Sequence, residues 1–226
     1  MEQYSLKLMG TYLRNMTDAS ISAEKLLQVS AVKLNPDNPF TWASGWKSPI
    51  YCDNRKILSH PFVRDYFKSE LCNLVFEKFS TADVIAGVAT AGVPWGIMIA
   101  DQLKLPFIYV RPSPKDHGLG NQVEGEISNN QKVVVVEDLI STGKSSLQVI
   151  SVLKEKGVKV IGAVSIFNYQ FTAALEAFAI AGIKLYSLTN YPVLIESAIE
   201  NGLVKSYQQD ILLKWREDPA NWTGVN

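Results

Sequence analysis

The chain has 226 residues, enough for one large domain, and its 47% apolar and 19% charged residues are typical of globular proteins. Lys plus Arg and Asp plus Glu number 22 each, so no overall charge favours nucleic acid or an anionic membrane as a partner. We expect neither a signal peptide nor a membrane span, because the first residues lack the basic and apolar pattern and no apolar run is long enough. Two cysteines, Cys52 and Cys72, favour a reduced, cytoplasmic protein over a disulfide framework or a zinc site.

The N-terminal quarter predicts a helix followed by a small hairpin. Apolar residues at helical spacing indicate a helix over about residues 22–34, with Ser22 as its N-cap. Residues 40–55 then predict two short strands around a Ser-Gly turn, and they gather several aromatic rings with Lys47 and Arg55. Such a set could cover a flat, anionic heterocycle, or it could form a half-exposed hairpin packed on a neighbour.

A helix, a strand and a turn rich in small residues follow. The helix is predicted over residues 61–78, with Pro61 at its first position, and a short buried strand covers residues 83–87. Residues 88–96 turn from this strand into a second helix that reaches about residue 103. Small residues there would let a ligand approach the backbone, although a tight turn packed against a sheet would use the same residues.

A long polar segment separates two core strands. The strand at residues 106–110 leads into residues 111–125, which are too many for a plain connection. Loops of this kind often act as lids over active sites. This one carries Arg111, Lys115 and His117, which suit an anion that accumulates charge, although a solvated surface loop remains the alternative.

The central feature is the stretch at residues 133–146. Four consecutive valines predict a strand buried on both faces, with Glu137 and Asp138 at its end and a loop leading into a helix at residues 147–153. A helix N-terminus offers free N–H groups and a positive dipole end to a phosphate. The Gly-Lys-Ser of this stretch, at residues 143–145, matches the second half of a P-loop. Asp138, however, stands in place of the first glycine of that motif and would repel a polyphosphate. A ribose 5-phosphate fits better, with two hydroxyls on the acids and one phosphate on the loop; a capped turn with solvated acids is the plainer alternative.

The C-terminal third predicts more sheet and its packing helices. We expect a strand over residues 158–167, a helix over 172–180, a strand over 184–188, and helices after Pro192 and Ser206. Because strands alternate with helices, the predicted fold is α/β, with a mainly parallel sheet flanked by helices. We predict a single domain over residues 1–226, in which residues 20–60 contribute to a small N-terminal hood.

The central stretch resembles the signature of the type I phosphoribosyltransferases, which binds 5-phosphoribosyl 1-pyrophosphate (PRPP). In that family the acidic pair holds the ribose hydroxyls, the loop beyond holds the 5-phosphate, and the turn corresponding to residues 88–96 binds pyrophosphate. The resemblance therefore implies a set of PRPP-binding residues. They are Glu137, Asp138, Leu139, Ile140, Ser141, Thr142, Gly143, Lys144 and Ser145, together with Thr90, Ala91 and Gly92.

Two further segments are similar to the orotate phosphoribosyltransferases. One is the hood segment from Ser44 to Arg55, and the other is the pattern Arg, then Lys-Asp-His-Gly, in residues 111–118. In that family the second segment is a flexible catalytic loop that closes over the active site of the neighbouring subunit, which implies a homodimer. The resemblance assigns Arg111, Lys115 and His117 to stabilisation of the leaving pyrophosphate. It assigns orotate contacts to Ser141, Tyr169 and Arg55.

The chain departs from the family pattern at positions where relatives carry cations. Ala43 stands where many members have a Lys that reaches PRPP, and Ala91 stands where some have a Lys beside pyrophosphate. Pro112 replaces a second loop Lys. Tyr169 stands near the place of an Arg that pairs with the orotate carboxylate.

The function that the resemblance implies is transfer of the 5-phosphoribosyl group from PRPP to orotate, in de novo pyrimidine (UMP) biosynthesis. It also implies Mg²⁺ held mainly through PRPP and pyrophosphate oxygens, with no side chain assigned as a metal ligand. One alternative is a phosphoribosyltransferase for a purine or another pyrimidine, which the missing cations at positions 43 and 169 favour. Another is a PRPP-sensing regulator, which would need a nucleic-acid-binding element that the sequence does not suggest.

Overall fold

The computed structural model describes residues 11–13, 15–111 and 121–224. The chain divides into two compact units. The first, termed the sheet unit, contains residues 1–14 and 65–188, and the second contains residues 15–64 and 189–226. The predicted hood residues 20–60 thus lie in the second unit together with C-terminal residues that the sequence had not assigned to it.

The helices and strands are numbered in chain order. The strands are β1 Thr11–Leu13, β2 Val32–Leu34, β3 Phe40–Thr41, β4 Lys47–Ser48, β5 Ile50–Cys52, β6 Val84–Val88, β7 Phe107–Val110, β8 Val123–Glu124, β9 Lys132–Ile140, β10 Lys159–Asn168 and β11 Leu185–Asn190. The α-helices are α1 Met16–Gln28, α2 Pro61–Lys78, α3 Gly92–Leu103, α4 Lys144–Glu155, α5 Thr172–Ile180, α6 Tyr191–Glu200 and α7 Ser206–Glu217, and a 3₁₀ helix covers Asn54–Ser59. No helix in the described ranges is long and apolar enough to cross a bilayer.

The sheet unit is built on one sheet, whose strand order is β1-β11-β10-β9-β6-β7-β8. Strand β9 runs parallel to both of its neighbours, β10 and β6, and β6 runs parallel to β7, while β8 is antiparallel to β7. The prediction of a mainly parallel sheet flanked by helices is therefore confirmed. A parallel arrangement brings the carboxyl ends of β6 and β9 to the same edge, where ligands bind in open α/β sheets.

The core explains why the valine run is continuous. All four side chains of residues 133–136 are fully buried. On one face Val133 and Val135 belong to a cluster that includes Val149 and Leu153 of α4 and Phe178 of α5. A strand covered on both faces needs apolar residues at every position rather than at alternate ones. Burial of each such side chain contributes about 1.5–3 kcal/mol to folding.

The predicted limits of one helix and one strand are wrong. The predicted helix at residues 22–34 is α1 followed by a separate strand, because Asn15 caps the helix from its side chain (2.8 Å to the Asp18 N–H) and β2 pairs with β5. Ser22 is consequently buried within α1 and is not its N-cap. Strand β9 extends to Ile140, so the two acids lie within the strand and not after it.

The second unit contains the predicted hairpin. Strands β3 and β4 pair antiparallel around a turn in which Gly45 adopts a φ of +88°, so the two short strands expected in residues 40–55 are present. Helix α7 packs against this hairpin, since the Trp215 Nε1–H donates to the Lys47 carbonyl at 3.1 Å and its ring meets Trp42 edge-on. The hairpin aromatics thus include residues that serve as packing within this unit.

Candidate active site

A cavity of about 340 Å³ lies where β9 runs into α4. Its lining comprises Leu139, Ser141, Thr142, Gly143, Lys144, Ser145 and Gln148. Six of these residues belong to the predicted PRPP-binding set, so the structure brings that part of the set together. Ile140 is buried and does not line the cavity. Gln148 was missed, although its position one helical turn after Lys144 places it on the same face of α4.

The cavity meets the exposed N-terminus of α4. Gly143 is the N-cap residue and has no side chain to accept from the first-turn N–H groups. The first intrahelical bond runs from the Leu147 N–H to the Gly143 carbonyl at 3.0 Å. The N–H groups of the first helical turn, at residues 144–146, precede that bond and point out of the helix, as an anion requires.

Glycine at position 143 is required by the local geometry. Its φ of +75° lies in the left-handed region, which costs other residues roughly 1–2 kcal/mol. A Cβ there would also stand 2.9 Å from a ring carbon of Phe178. The loop can therefore follow this path only without a side chain at its centre.

Two buried carboxyl groups lie on β9 just before the cavity loop, although neither lines the cavity. Glu137 is 7% exposed and Asp138 is 8% exposed. The Asp138 N–H donates to Oε1 of Glu137 at 3.2 Å, and the Ser146 hydroxyl donates to Oε2 at 3.4 Å. Burial, and then repulsion by the neighbouring Asp138 charge, raise the pKa of Glu137 well above its ordinary value. Because this carboxyl group is poorly solvated, a hydrogen bond from a hydroxyl donor would stabilise it.

The turn between β6 and α3 packs directly against the acidic strand. A Cβ added to Gly92 would lie 2.3 Å from the Val136 carbonyl oxygen and 3.3 Å from Cα of Glu137. Within the turn the Ala89–Thr90 peptide is cis, and the Ala89 N–H donates to the Val110 carbonyl at 2.9 Å. The predicted pyrophosphate turn and the acidic pair are thus immediate neighbours, held at backbone contact.

Arg111 lies at the point where the predicted lid begins. Its N–H donates to the Gln122 carbonyl at 2.9 Å, the Gln122 side chain returns a bond to its carbonyl at 3.1 Å, and its Nε lies 4.0 Å from Oε1 of Glu124. These contacts anchor the two ends of the segment beside each other. Lys115 and His117 lie outside the described residues, so their placement and the lid itself stay predictions.

The three predicted base contacts differ in their surroundings. Ser141 lines the cavity. Tyr169 is 1% exposed and its ring packs against Phe167 and Phe171, with centroids 5.1 and 5.2 Å away, so the ring does not line the cavity. Arg55 belongs to the second unit, where its Nε lies 2.6 Å from Asp53 and lowers the pKa of that carboxyl. Contacts of Tyr169 and Arg55 with a base stay predictions, and that of Tyr169 would require its aromatic packing to open.

A protein-family match and a similar solved structure both agree with this site. The family described as "Phosphoribosyl transferase domain" matches residues 67–176, which include the acidic pair, the cavity loop and the β6–α3 turn. A solved structure of orotate phosphoribosyltransferase from Aeropyrum pernix is similar in fold, with a TM-score of 0.66 and 31% identity over 77% of this chain and 97% of that chain. The fold and the site therefore define a phosphoribosyltransferase.

Relatives of higher sequence identity show to which group of phosphoribosyltransferases the chain belongs. The chain is 53% identical over 200 residues to the orotate phosphoribosyltransferase of Phocaeicola vulgatus, which covers 88% of this chain and 94% of the relative. It is 49% identical over 207 residues to that of Lactococcus lactis subsp. cremoris, which covers 92% of this chain and 99% of the relative. The chain belongs to the orotate phosphoribosyltransferases.

Proposed function

We propose that this chain transfers the 5-phosphoribosyl group of PRPP to orotate, giving orotidine 5′-phosphate and pyrophosphate. The bond between C1 of the ribose and the pyrophosphate oxygen breaks, a bond from C1 to a ring nitrogen of orotate forms, and the proton of that nitrogen passes to the released pyrophosphate. The observation that carries the proposal is that an uncapped helix N-terminus, which lines the cavity, is hydrogen-bonded through Ser146 to a buried acidic pair on the preceding strand. A ribose 5-phosphate requires an anion site near two hydroxyl acceptors, so this arrangement supports the proposal. The same step serves de novo pyrimidine (UMP) biosynthesis, in line with the family.

The residues divide the substrate between them. The loop over residues 141–145 binds the 5-phosphate through N–H groups, the hydroxyl of Thr142 and the charge of Lys144. Glu137 and Asp138 accept hydrogen bonds from the two ribose hydroxyls, which orients C1 toward the base. The pyrophosphate lies over the turn at residues 90–92, where small side chains expose the backbone.

The lid residues act on the leaving group. As the bond to C1 breaks, negative charge accumulates on pyrophosphate and positive charge on the ribosyl ring. Arg111, Lys115 and His117 then stabilise the departing anion, an interaction that strengthens in the transition state. Closure of the lid keeps water from the ribosyl carbon, which would otherwise be hydrolysed.

Mg²⁺ is proposed as the cofactor, bound through the substrate. Among the described residues no group of three or more His, Cys, Asp or Glu could hold a metal ion. The donor set therefore fits an ion whose ligands come mostly from PRPP oxygens. When bound, the ion neutralises part of the pyrophosphate charge. Calorimetric titration tests this, because Mg²⁺ should bind the protein tightly only when PRPP is present.

We further propose a cytoplasmic homodimer in which each lid serves the neighbouring active site. Cys52 and Cys72 are not joined in a disulfide, which supports a reducing compartment, and the similarity of residues 111–118 to the family loop supports the dimer. Mixing two strongly impaired variants, Lys115→Ala and Glu137→Gln, tests the arrangement. Activity that rises on mixing well above that of either variant would follow from a lid acting in trans, whereas lids acting in cis would leave every mixture as impaired as its components.

A phosphoribosyltransferase for another base is the second candidate, and the buried Tyr169 favours it, because the Arg of the family pattern is missing there. The two candidates are separated by PRPP-dependent release of pyrophosphate with a panel of orotate, uracil, adenine, guanine and hypoxanthine. Our proposal requires release with orotate far above the others. Equal or greater release with another base would overturn it.

A further inference from the structure

The Ser146 hydroxyl has a specific partner. Ser146 is the third residue of α4 and is 1% exposed, yet serine is a poor choice for a buried helical position. A buried hydroxyl costs free energy unless it is hydrogen-bonded. Its Oγ lies 3.4 Å from Oε2 of Glu137, nine residues earlier in the chain. The hydroxyl therefore joins the helix that lines the phosphate cavity to the acid in the strand.

We propose that Ser146 is a positioning residue, which couples the phosphate-binding end of α4 to the acid that meets the ribose. The inference rests on the proposed function for its role in catalysis, but the contact itself does not. Oε1 of Glu137 is fixed by the Asp138 N–H and Oε2 by the Ser146 hydroxyl. A carboxylate held at both oxygens presents its remaining lone pairs in one orientation. A phosphate bound at α4 would thereby find the ribose acceptor already in place.

Opposing influences set the pKa of Glu137. Burial and then the Asp138 charge, on the same strand, disfavour the carboxylate, whereas the hydrogen bonds from the Asp138 N–H and the Ser146 hydroxyl favour it. Opposite Glu137 on β10 stands Ser165, whose hydroxyl is bonded to Ser187 at 2.8 Å. Removing the Ser146 hydroxyl removes one of the hydrogen bonds that lower the pKa of Glu137. The carboxyl should therefore take up a proton at higher pH.

The test compares Ser146→Ala with Ser146→Thr and Ser151→Ala. Thr keeps a hydroxyl at the site, and Ser151 is the matched control because it lies on the same helix and bonds Glu155 at 3.3 Å on the exposed side. We expect Ser146→Ala to lower kcat/KM for PRPP by about tenfold near neutral pH, the low end for a hydrogen bond to a charged group. Its acidic limb should also move to higher pH, while Ser151→Ala matches wild type and Ser146→Thr recovers at least part of the loss.

A second readout separates this inference from the proposed function. The Glu137 carboxyl carbon can be titrated by ¹³C NMR in wild type and in Ser146→Ala, without substrate. An upward shift of the titration in Ser146→Ala is expected whatever base the enzyme uses. An unchanged titration together with an unchanged pH profile would overturn the positioning role. Failure of the proposed function would show instead as a wild-type protein inactive with PRPP and orotate.

Discussion

Gly92 is the position at which a single methyl group should disrupt the site most sharply. It begins α3, and a Cβ there would stand 2.3 Å from the Val136 carbonyl oxygen, whereas ordinary contact begins at 3.4 Å. Because the obstructing atom is backbone in the central strand, no rotamer change can relieve the overlap. The start of α3 and strand β9 must separate by about 1 Å, which moves the predicted pyrophosphate turn away from Glu137.

The expected magnitude follows from that displacement. A misplacement of about 1 Å near reacting groups costs on the order of 100-fold in rate, so kcat/KM for PRPP in Gly92→Ala should fall by roughly that factor. Overpacking of a core typically costs about 1–3 kcal/mol. For a chain of this length each kcal/mol lowers the melting temperature by about 2–4 °C. Steady-state kinetics and thermal unfolding followed by circular dichroism measure both effects.

Gly96→Ala is the matched control in the same helix. Its added Cβ would meet Cε2 of Phe107 at 2.7 Å, which is the ring of a partly buried side chain that can turn. Its closest backbone contact would be Cα of Gly87 at 3.3 Å, which requires a far smaller adjustment than the 2.3 Å contact at Gly92. A helical Ala is also favoured over Gly by about 0.5–1 kcal/mol, so activity and melting temperature should stay close to wild type. If Gly92→Ala were as active and stable as Gly96→Ala, the close packing of turn and acidic strand could not be what positions the site.

Three further predictions concern the acid, the lid and the thiols. Glu137→Gln should lower kcat/KM for PRPP by about 100-fold, by removing a carboxyl oxygen that accepts a ribose hydroxyl. Because the folded-state pKa of Glu137 is raised, the folded state binds more protons than the unfolded state above about pH 4.5, so wild-type stability falls as pH rises toward that raised pKa. Urea unfolding across this range should show the fall weakened in Glu137→Gln; parallel curves would contradict the raised pKa. Lys115→Ala should lower kcat by orders of magnitude with an unchanged circular dichroism spectrum, and full activity would remove this lysine from the mechanism. Iodoacetamide should label Cys52 before Cys72, because burial raises the pKa of Cys72 to about 11; equal labelling of the native protein would refute that burial.

The central strand and its loop could be predicted from the sequence because the residues that specify them are consecutive. A valine run, two acids and a polar loop entering an apolar helix specify a buried parallel strand and an anion site within fourteen consecutive residues. The cavity residues 141–145 followed from that pattern, and the fold followed from the alternation of strands with helices along the chain. The extension of β9 through Glu137 and Asp138 did not, since charged residues inside a buried strand contradict local propensity and are tolerated because of the hydrogen bonds they make there.

Long-range packing accounts for what the sequence could not show. Strand β1 is three residues long, and its pairing with β11 joins segments more than 170 residues apart. The association of the hairpin with α7 likewise involves Trp215, which bonds a residue 168 positions earlier in the sequence. The packing of the Tyr169 ring against Phe167 and Phe171 is, by contrast, a local contact between residues two positions apart.

The central claim is that PRPP and orotate are the substrates, and the ultraviolet absorbance of orotate tests it most directly. The protein is mixed with orotate, Mg²⁺ and PRPP, with PRPP omitted in one control and Glu137→Gln used in another. We predict a loss of the orotate band that requires PRPP and Mg²⁺ and is strongly slowed in the variant. An unchanged band, with PRPP binding detected by calorimetry in the same sample, would contradict orotate as the acceptor.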